Sequence, residues 1–458
     1  MELDSQAVEL NAALHEQQEL RAELTARALR DDLTGLGSRN LLRDRLDAVT
    51  GAHALLLLDL DGFQDVNDLY GHAVGDTLLI AVAERLRQAV GDGLLVRLGG
   101  DEFAVLLVGE RAAASTDVAW ALVEAVREPF QLGERESLVT ASVGVLRAAG
   151  PAGTVEALRK ADMALYAAKG AGKNRVEVYS DALAEARDRR MRLIADLRRA
   201  LADETLEVHY QPVVDLVTGA VTAVEALVRW PDGTRWIPPG EFIPIAEESG
   251  LIVPLGAWVL RRALADVRPW YEAYGIAVTV NVSGRQLREP DIADVVLDAL
   301  EEQSLAGAAL VVEITETVVV ADVGAEAAAA REVLDRLRGE GVRVAVDDFG
   351  TGYSSLAYLR TLPVDVLKID RAFVQDEDGR GDSTAFLQAI VQMARSLRLR
   401  TVAEAVETAA QADRLRDLLC PLAQGFLFAR PMPAAELTAL LARTGGRLES
   451  AAQPTRAA

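Results

Sequence analysis

The sequence predicts an α/β chain of two domains, a small α/β domain followed by a parallel β/α barrel. Three observations predict it. At 458 residues the chain is too long for one ordinary core. Apolar, strand-like runs alternate with helical stretches along most of its length. In the second half, seven successive strands end in an acid, an amide or a lysine, as expected where parallel strand ends share one rim.

Composition narrows the function classes. Half the residues are hydrophobic and 26% are charged, a globular balance. A formal net charge of -22 argues against a generic nucleic-acid or anionic-membrane binder, while leaving a nucleotide ligand open. A single cysteine, Cys420, and four histidines exclude a disulfide framework and a Cys/His zinc cluster. No apolar run reaches membrane-spanning length, and Glu2 and Asp4 spoil a signal peptide, so a cytoplasmic protein without membrane insertion is expected.

Residues 1–30 are polar and helix-favouring, with Leu3, Leu10, Leu20 and Leu24 near a 3-4 spacing. A solvated leader helix and a short parallel coiled coil both fit that pattern. From Asp31 to about Ser180 strands and helices alternate. Ala54 to Leu58 is an apolar strand running into Asp59, Leu60 and Asp61. Asp76 to Val90 is helical. Leu94 to Leu98 and Phe103 to Val108 form a hairpin through Gly99, Gly100, Asp101 and Glu102. Asp59, Asp101 and Glu102 then stand on neighbouring loops, which suits a hard divalent cation holding a triphosphate. An EF-hand reading of Asp59 to Tyr70 fails, because position 12 of the loop is Tyr70.

The ordered motifs of this half are specific. They run from Asp32-Leu33-Thr34-Gly35-Leu36 through Asp59-Leu60-Asp61-Gly62-Phe63, Asn67-Asp68 and Gly75-Asp76. Arg97-Leu98-Gly99-Gly100-Asp101-Glu102-Phe103 follows, and Ala168-Lys169 with Gly172-Lys173-Asn174-Arg175 closes the set. With them residues 31–180 resemble the GGDEF family of diguanylate cyclases. The resemblance implies a nucleotidyl-cyclase-like α/β fold that binds GTP. It places two Mg2+ on Asp59, the Leu60 carbonyl and Asp101, with Glu102 assisting at the attacking 3′-hydroxyl. Asn67 and Asp76 would read the guanine edge, and Lys169 and Lys173 would contact phosphates. Synthesis of cyclic di-GMP needs two such domains face to face, hence a homodimer. Two departures stand out. Gln64 replaces the family's usual lysine, and Val90 and Gly93 replace the Arg and Asp of its inhibitory product site.

Residues 181–201 are charged, alanine-rich and glycine-free, which predicts a helix leading into the second domain. From 202 to 445 the strand ends deliver Glu225 and Arg229, then Asn281, then Glu313 and Glu316. Asp347 and Asp348 follow, then Lys368, then Glu404 and Glu407, then Gln424. Adjacent acids after one strand can be a helix cap and a solvated neighbour, but seven such ends in series point to a site. Acids and amides without Cys or His make an oxygen site for Mg2+ or Mn2+. Adjacent aspartates can bridge two metals about 4 Å apart, which activates water against a phosphodiester. A glycosidase also uses paired carboxylates, but it would want aromatic platforms and aromatics are 5% of the chain.

Tyr210-Gln211-Pro212, Glu225-Ala226-Leu227-Val228-Arg229-Trp230, Glu313-Ile314-Thr315-Glu316, Asp347-Asp348-Phe349-Gly350, Lys368-Ile369-Asp370 and Gln424-Gly425-Phe426 resemble the EAL family of cyclic di-GMP phosphodiesterases. The resemblance implies a TIM-barrel-like (β/α)8 fold and opening of cyclic di-GMP to linear 5′-pGpG. It assigns two metals per site to Glu225, Asn281, Glu313 and Asp347, with Asp348 on the second metal and its water. Lys368 and Glu404 would be catalytic, and Gln211, Arg229 and Gln424 would contact substrate. Glu316 would anchor a mobile loop from Asp348 to Tyr353. Ala405 stands where the family commonly has glycine. Residues 446–458 read as a disordered tail. The sequence thus predicts a bifunctional enzyme, or a phosphodiesterase whose first half binds GTP to regulate it. A non-enzymatic receptor would require a lost metal ligand, and none is lost.

Overall fold

The computed structural model describes residues 27–132, 135–151, 153–233, 235–315, 325–349, 363–375 and 382–448. The expected leader helix (but for its last residues), Glu316, the loop after Phe349 and the tail beyond Leu448 lie outside them, as does the side chain of Asp348. Of the expected disordered tail, residues 446–448 are described, and Leu448 N donates to the Gly219 carbonyl at 2.7 Å. The chain divides into two units, 1–189 and 190–458.

In the first unit, helix α1 (Arg39–Ala48) precedes strand β1 (His53–Asp61), then α2 (Phe63–Tyr70) and α3 (His72–Val90). Strands β2 (Leu94–Gly99) and β3 (Glu102–Val108) form the expected hairpin. Helix α4 (Ser115–Arg127), the small pair β4 (Phe130–Leu132) and β5 (Arg135–Ser137), β6 (Thr140–Ala148), α5 (Thr154–Gly170) and β7 (Val176–Val178) follow. The sheet order is β2-β3-β1-β6-β7, with β1 antiparallel to both neighbours.

Strand periodicity explains the continuous leucine run of β1. Leu56, Leu58 and Leu60 pack with Leu78 and Val82 of α3 and Leu122 of α4. Leu55 and Leu57 pack on the other face with Leu42 and Leu46 of α1 and Ala161 and Leu165 of α5. Helix α5 lies so close to β6 that a Cβ on Gly144 would stand 2.2 Å from the Leu165 nitrogen. That approach brings the C-terminal end of α5 to the end of β1.

Helix α6 (Asp181–Ala202) leads into the second unit. There β8 (Glu207–Asp215), β9 (Val221–Asp232) and β10 (Arg235–Ile237) precede α7 (Pro239–Ser249) and α8 (Ile252–Tyr274). Next come β11 (Ala277–Asn281), the short α9 (Gly284–Leu287), α10 (Ile292–Glu302), β12 (Leu310–Thr315), α11 (Ala325–Gly339) and β13 (Arg343–Phe349). Strand β14 (Val366–Ile369), α12 (Asp382–Ser396), β15 (Arg400–Ala403), α13 (Ala409–Asp417), β16 (Leu422–Gln424), β17 (Met432–Pro433) and α14 (Ala434–Thr444) complete it.

Strands β9, β11, β12, β13, β14, β15 and β16 run parallel in that order, and they are the seven whose ends the sequence singles out. Strand β8 closes the barrel between β16 and β9, antiparallel to both. That reversed strand departs from a regular (β/α)8 barrel, and its cause is local. The Leu216–Ala220 link is too short for a parallel crossover, which takes a dozen residues or more. Asp215 Oδ1 instead accepts from the Val217 and Thr218 nitrogens at 3.0 and 2.8 Å, and Gly219 adopts φ +71°, making a turn. Below the rim the barrel is filled by Val213, Val311, Ala345, Val366, Val402 and Leu422. Among the described residues no helix is long and apolar enough to cross a membrane.

Candidate active sites

The barrel's C-terminal rim gathers the expected acids around one lysine. Lys368, on β14, is 3% exposed, and its Nζ donates to Glu313 Oε1 at 2.5 Å. It also pairs with Glu404, and lies 3.5 Å from both Glu225 Oε2 and Asp347 Oδ1. Between Val346 and Phe349 the β13–β14 register shifts, so Asp347 and Asp348 together stand opposite Lys368. Such a bulge re-aims side chains in a way no regular strand can.

Among the described side chains, four carboxylates face one ammonium here. Burial pushes the Glu313 carboxyl well above its usual range, and neighbouring acids add to this while Lys368 opposes it. Burial also pushes Glu404 up to about 7. For Lys368 burial acts against the charge, but the surrounding carboxylates outweigh it and hold the ammonium well above its ordinary value.

The amides at the rim orient this cluster. Asn281 Nδ2 donates to Glu225 Oε1 at 3.0 Å. Gln424 Nε2 donates to Glu225 Oε2 at 2.6 Å and to Gln211 Oε1 at 3.0 Å, and Gln211 donates to the Ala429 carbonyl at 3.1 Å. Arg229, at the end of β9, is half-buried and donates to the Val228 carbonyl at 3.0 Å. It lines a cavity of about 270 Å³ with Leu227, Ile243, Asn281 and Glu313.

Glu313 Oε2, Asp347 Oδ1 and Gln424 Oε1 are buried acceptors without a hydrogen-bond partner. An orphaned buried acceptor costs about 1–3 kcal/mol, and a positive ligand at this rim would satisfy these oxygens, of which Asp347 Oδ1 already faces Lys368 at 3.5 Å. Carboxylate oxygens of Glu225, Glu313 and Glu404 lie within 4.8 Å of one another, and every donor is oxygen. The residues therefore fit a hard divalent cation. Ala405 has φ +49°, which explains why glycine suits that position, between the Glu404 and Val406 backbone bonds to Ile369 and Gln424.

In the first unit the acids also converge. Asp59 of β1 is the register partner of Glu102 of β3, and Leu60 beside it is buried. Lys169, from the end of α5, places Nζ 2.7 Å from Asp59 Oδ1, so this lysine faces a carboxylate here. Burial raises the Asp59 pKa and nearby Asp101 and Glu102 add to it, against the opposing Lys169. Asn67 of α2 packs against the start of α3, where a Cβ on Gly75 would meet its Oδ1 at 2.0 Å. Asp76 follows, exposed, and Lys173 lies exposed in the loop after α5 with φ +60°. That loop is tied down by Asp61, which accepts from Asn174 N at 3.1 Å, Thr140 Oγ1 at 2.9 Å and Ser142 Oγ at 2.8 Å.

One clamp goes beyond the motif reading. Arg97 donates from Nε and Nη2 to the Gly100 carbonyl at 3.0 and 2.8 Å, and from Nη1 to Asp31 Oδ1 at 3.1 Å. Thr34 donates to the same Asp31 oxygen through its N and Oγ1. Asp31, rather than Asp32 where the matched motif begins, thus holds the glycine tip. The arginine before the glycines was the signal, but its partner lies 66 residues away. At the two departed positions, Val90 is buried and a Cβ on Gly93 would stand 2.7 Å from Val90 and Leu107 side chains.

Comparison with known proteins matches residues 194–431 to the EAL domain model and residues 28–175 to the model described as diguanylate cyclase, GGDEF domain. The bifunctional diguanylate cyclase/cyclic di-GMP phosphodiesterase MucR of Pseudomonas aeruginosa is 42% identical over 433 residues, 92% of this chain and 62% of its own. The cyclic di-GMP phosphodiesterase NbdA of the same organism is 38% identical over 448 residues, 94% of this chain and 56% of its own. The chain thus spans just over half the length of these curated relatives. A solved structure described as PaMucR phosphodiesterase, c-di-GMP complex, is 43% identical with a TM-score of 0.51, covering 54% of this chain and 99% of that one.

Proposed function

This chain belongs to the EAL domain family and carries a GGDEF domain ahead of it, and from that premise we propose that its barrel hydrolyses cyclic di-GMP to linear 5′-pGpG. The observation that carries the reading is the ring of four carboxylates around Lys368, with Glu313 Oε2 and Gln424 Oε1 buried and without a hydrogen-bond partner. Glu225, Asn281, Glu313 and Asp347 would hold Mg2+ or Mn2+, with Asp348 at a second ion. Bound cations of this kind supply an activated water and neutralise the scissile phosphate.

The chain's own side chains do the rest. Lys368 keeps its proton, so it serves as a fixed positive charge for the attacking water or the phosphate. Glu404, paired to Lys368 and raised toward neutrality by burial, is suited to hold or accept a proton there. Arg229 lines the rim cavity and would contact a phosphate or base there. Gln424, braced by Gln211, holds the Glu225 carboxylate, and both would contact the substrate. Glu316 is assigned to anchor the loop beyond Phe349.

For the first unit we propose GTP as the ligand, with Asp59, the Leu60 carbonyl and Asp101 at the cations and Glu102 at the attacking hydroxyl. Asn67 and Asp76 read the base, and Lys169 and Lys173 serve the phosphates. Two such domains in a homodimer would condense two GTP into cyclic di-GMP. Gln64 favours a second reading, in which the unit binds GTP and regulates the barrel without synthesis. An uncharged amide replaces the cation that would sit near the triphosphate.

The deciding experiment gives the purified chain GTP or cyclic di-GMP separately with Mg2+ and resolves the products. Linear pGpG from cyclic di-GMP, lost in D347A and E225A, is the expected result. Undiminished hydrolysis in both variants would overturn the two-metal reading. Cyclic di-GMP from GTP, lost on changing Asp101 and Glu102 to Ala, separates synthesis from regulation.

A further inference from the structure

We propose that Gln286 is a positioning residue for the Asn281 ligand, and that Gly256 is glycine so that Gln286 can stand where it does. The inference rests on the metal-dependent reading of the barrel. It concerns a glutamine whose side chain is hydrogen-bonded to Ser283 rather than to the acids or Lys368.

Asn281 is the last residue of β11 and the register partner of Glu313. Its Nδ2 is committed to Glu225, which leaves its Oδ1 for a cation. A ligand at the end of a strand is only as well placed as the turn that follows it. Here the turn is fastened twice. Val282 N donates to the Glu313 carbonyl at 2.8 Å, linking the backbone of one rim position to the next. Ser283 then enters a closed box with Gln286. Ser283 N and Oγ both donate to Gln286 Oε1 at 3.1 Å, and Gln286 N donates back to Ser283 Oγ at 3.3 Å.

The glutamine is itself held from behind. It is 4% exposed, and a Cβ on Gly256 would lie 2.0 Å from its Nε2 and 2.7 Å from its Cδ. Gly256 sits inside the 23-residue helix α8, where glycine is destabilising relative to alanine. Its conformation is ordinary, so close approach of the Gln286 amide is the reason for it. Gln286 also borders both the rim cavity and a second cavity of about 70 Å³, lined by Leu260, Val280, Val296 and Val312. Without the glutamine the turn has room to sink into that space and draw Asn281 with it. Outer partners of metal ligands act in this way, through the aim of the ligand rather than through the ion.

The test uses the full chain freed of metal and follows Mn2+ binding by calorimetry, counting only the binding that D347A abolishes. Q286M removes the acceptor oxygen, and G256A displaces the amide while keeping every polar atom. Both should weaken Mn2+ binding about tenfold or more. The Mn2+ concentration for half-maximal hydrolysis should rise in step, with kcat recovered at saturating Mn2+. Folded variants that bind Mn2+ as the wild type does overturn the inference, as does a lowered Tm with unchanged affinity. A loss of kcat that saturating Mn2+ does not restore also overturns it. If Q286M does not fold, G256A decides. A wild-type chain that neither binds Mn2+ nor hydrolyses cyclic di-GMP overturns the metal-dependent reading itself.

Discussion

Lys368 and Glu313 are joined at 2.5 Å with side chains 4% and 0% exposed, an ion pair sealed inside the barrel. The lysine is the counter-charge for four carboxylates, so its removal does more than delete one contact. K368M should lower the stability of the metal-free barrel by about 3–5 kcal/mol, the loss typical when one partner of a buried pair is removed. It should also remove hydrolysis of cyclic di-GMP. Chemical denaturation with and without Mg2+ checks this. A K368M chain as stable as wild type without metal would show that the acids take up protons at no cost.

The same charge imbalance predicts that divalent cations stabilise the fold. Mg2+ or Mn2+ binds the folded rim and has no comparable site in the unfolded chain. At a hundredfold excess over its dissociation constant, one ion should add about 2.7 kcal/mol. The gain should appear as a raised Tm in the unit containing residues 190–458, and E225Q with D347N should abolish it. An equal rise in that double variant would place the stabilising ion elsewhere.

Much of this site was legible because strands deliver side chains with period two. Asp347 and Gln424 follow apolar runs directly, Glu313 and Lys368 stand one or two residues before their strands end, and Glu225 interrupts the longer β9. Parallel strands then bring them to one rim. The reversal of β8 was not read from the sequence, although the Asp215, Thr218 and Gly219 turn is too short for a crossover. What sequence spacing cannot carry is the partner of a long side chain. Lys368 reaching four acids, or Arg97 reaching Asp31, depends on tertiary packing across tens of residues. The bulge opposite Lys368 is hidden for the same reason, since it exists only in the pairing of two strands.

Arg97 supports a prediction for the first unit. Its two bonds to the Gly100 carbonyl and its pair with Asp31 hold the loop that presents Asp101 and Glu102. Arg97 and Asp31 are only 11% and 22% exposed in their side chains, so solvent cannot fully replace the clamp. R97M should weaken GTP binding by roughly 1.5–3 kcal/mol, the value of a charged hydrogen bond lost. D31N should do so less, because Arg97 keeps its bonds to Gly100. A fluorescent GTP analogue titrated into both variants measures the difference. Equal affinity in R97M and wild type would show that the loop is set by its glycines alone.

Ala405 carries the last prediction, and its direction is a gain. Its φ of +49° is left-handed, where a Cβ crowds the following carbonyl at a cost of about 1–2 kcal/mol. Glycine adopts the same backbone without that crowding, but loses more freedom on folding. The net for A405G should be stabilisation of about 1 kcal/mol. The hydrogen bonds from the Glu404 and Val406 nitrogens to Ile369 and Gln424 do not involve the side chain of residue 405. Hydrolysis should therefore persist in A405G, with Glu404 still paired to Lys368. Urea unfolding of the two chains, compared at equal m-values, reads the change directly. An A405G chain less stable than wild type would mean that the methyl group packs favourably enough to outweigh its backbone strain.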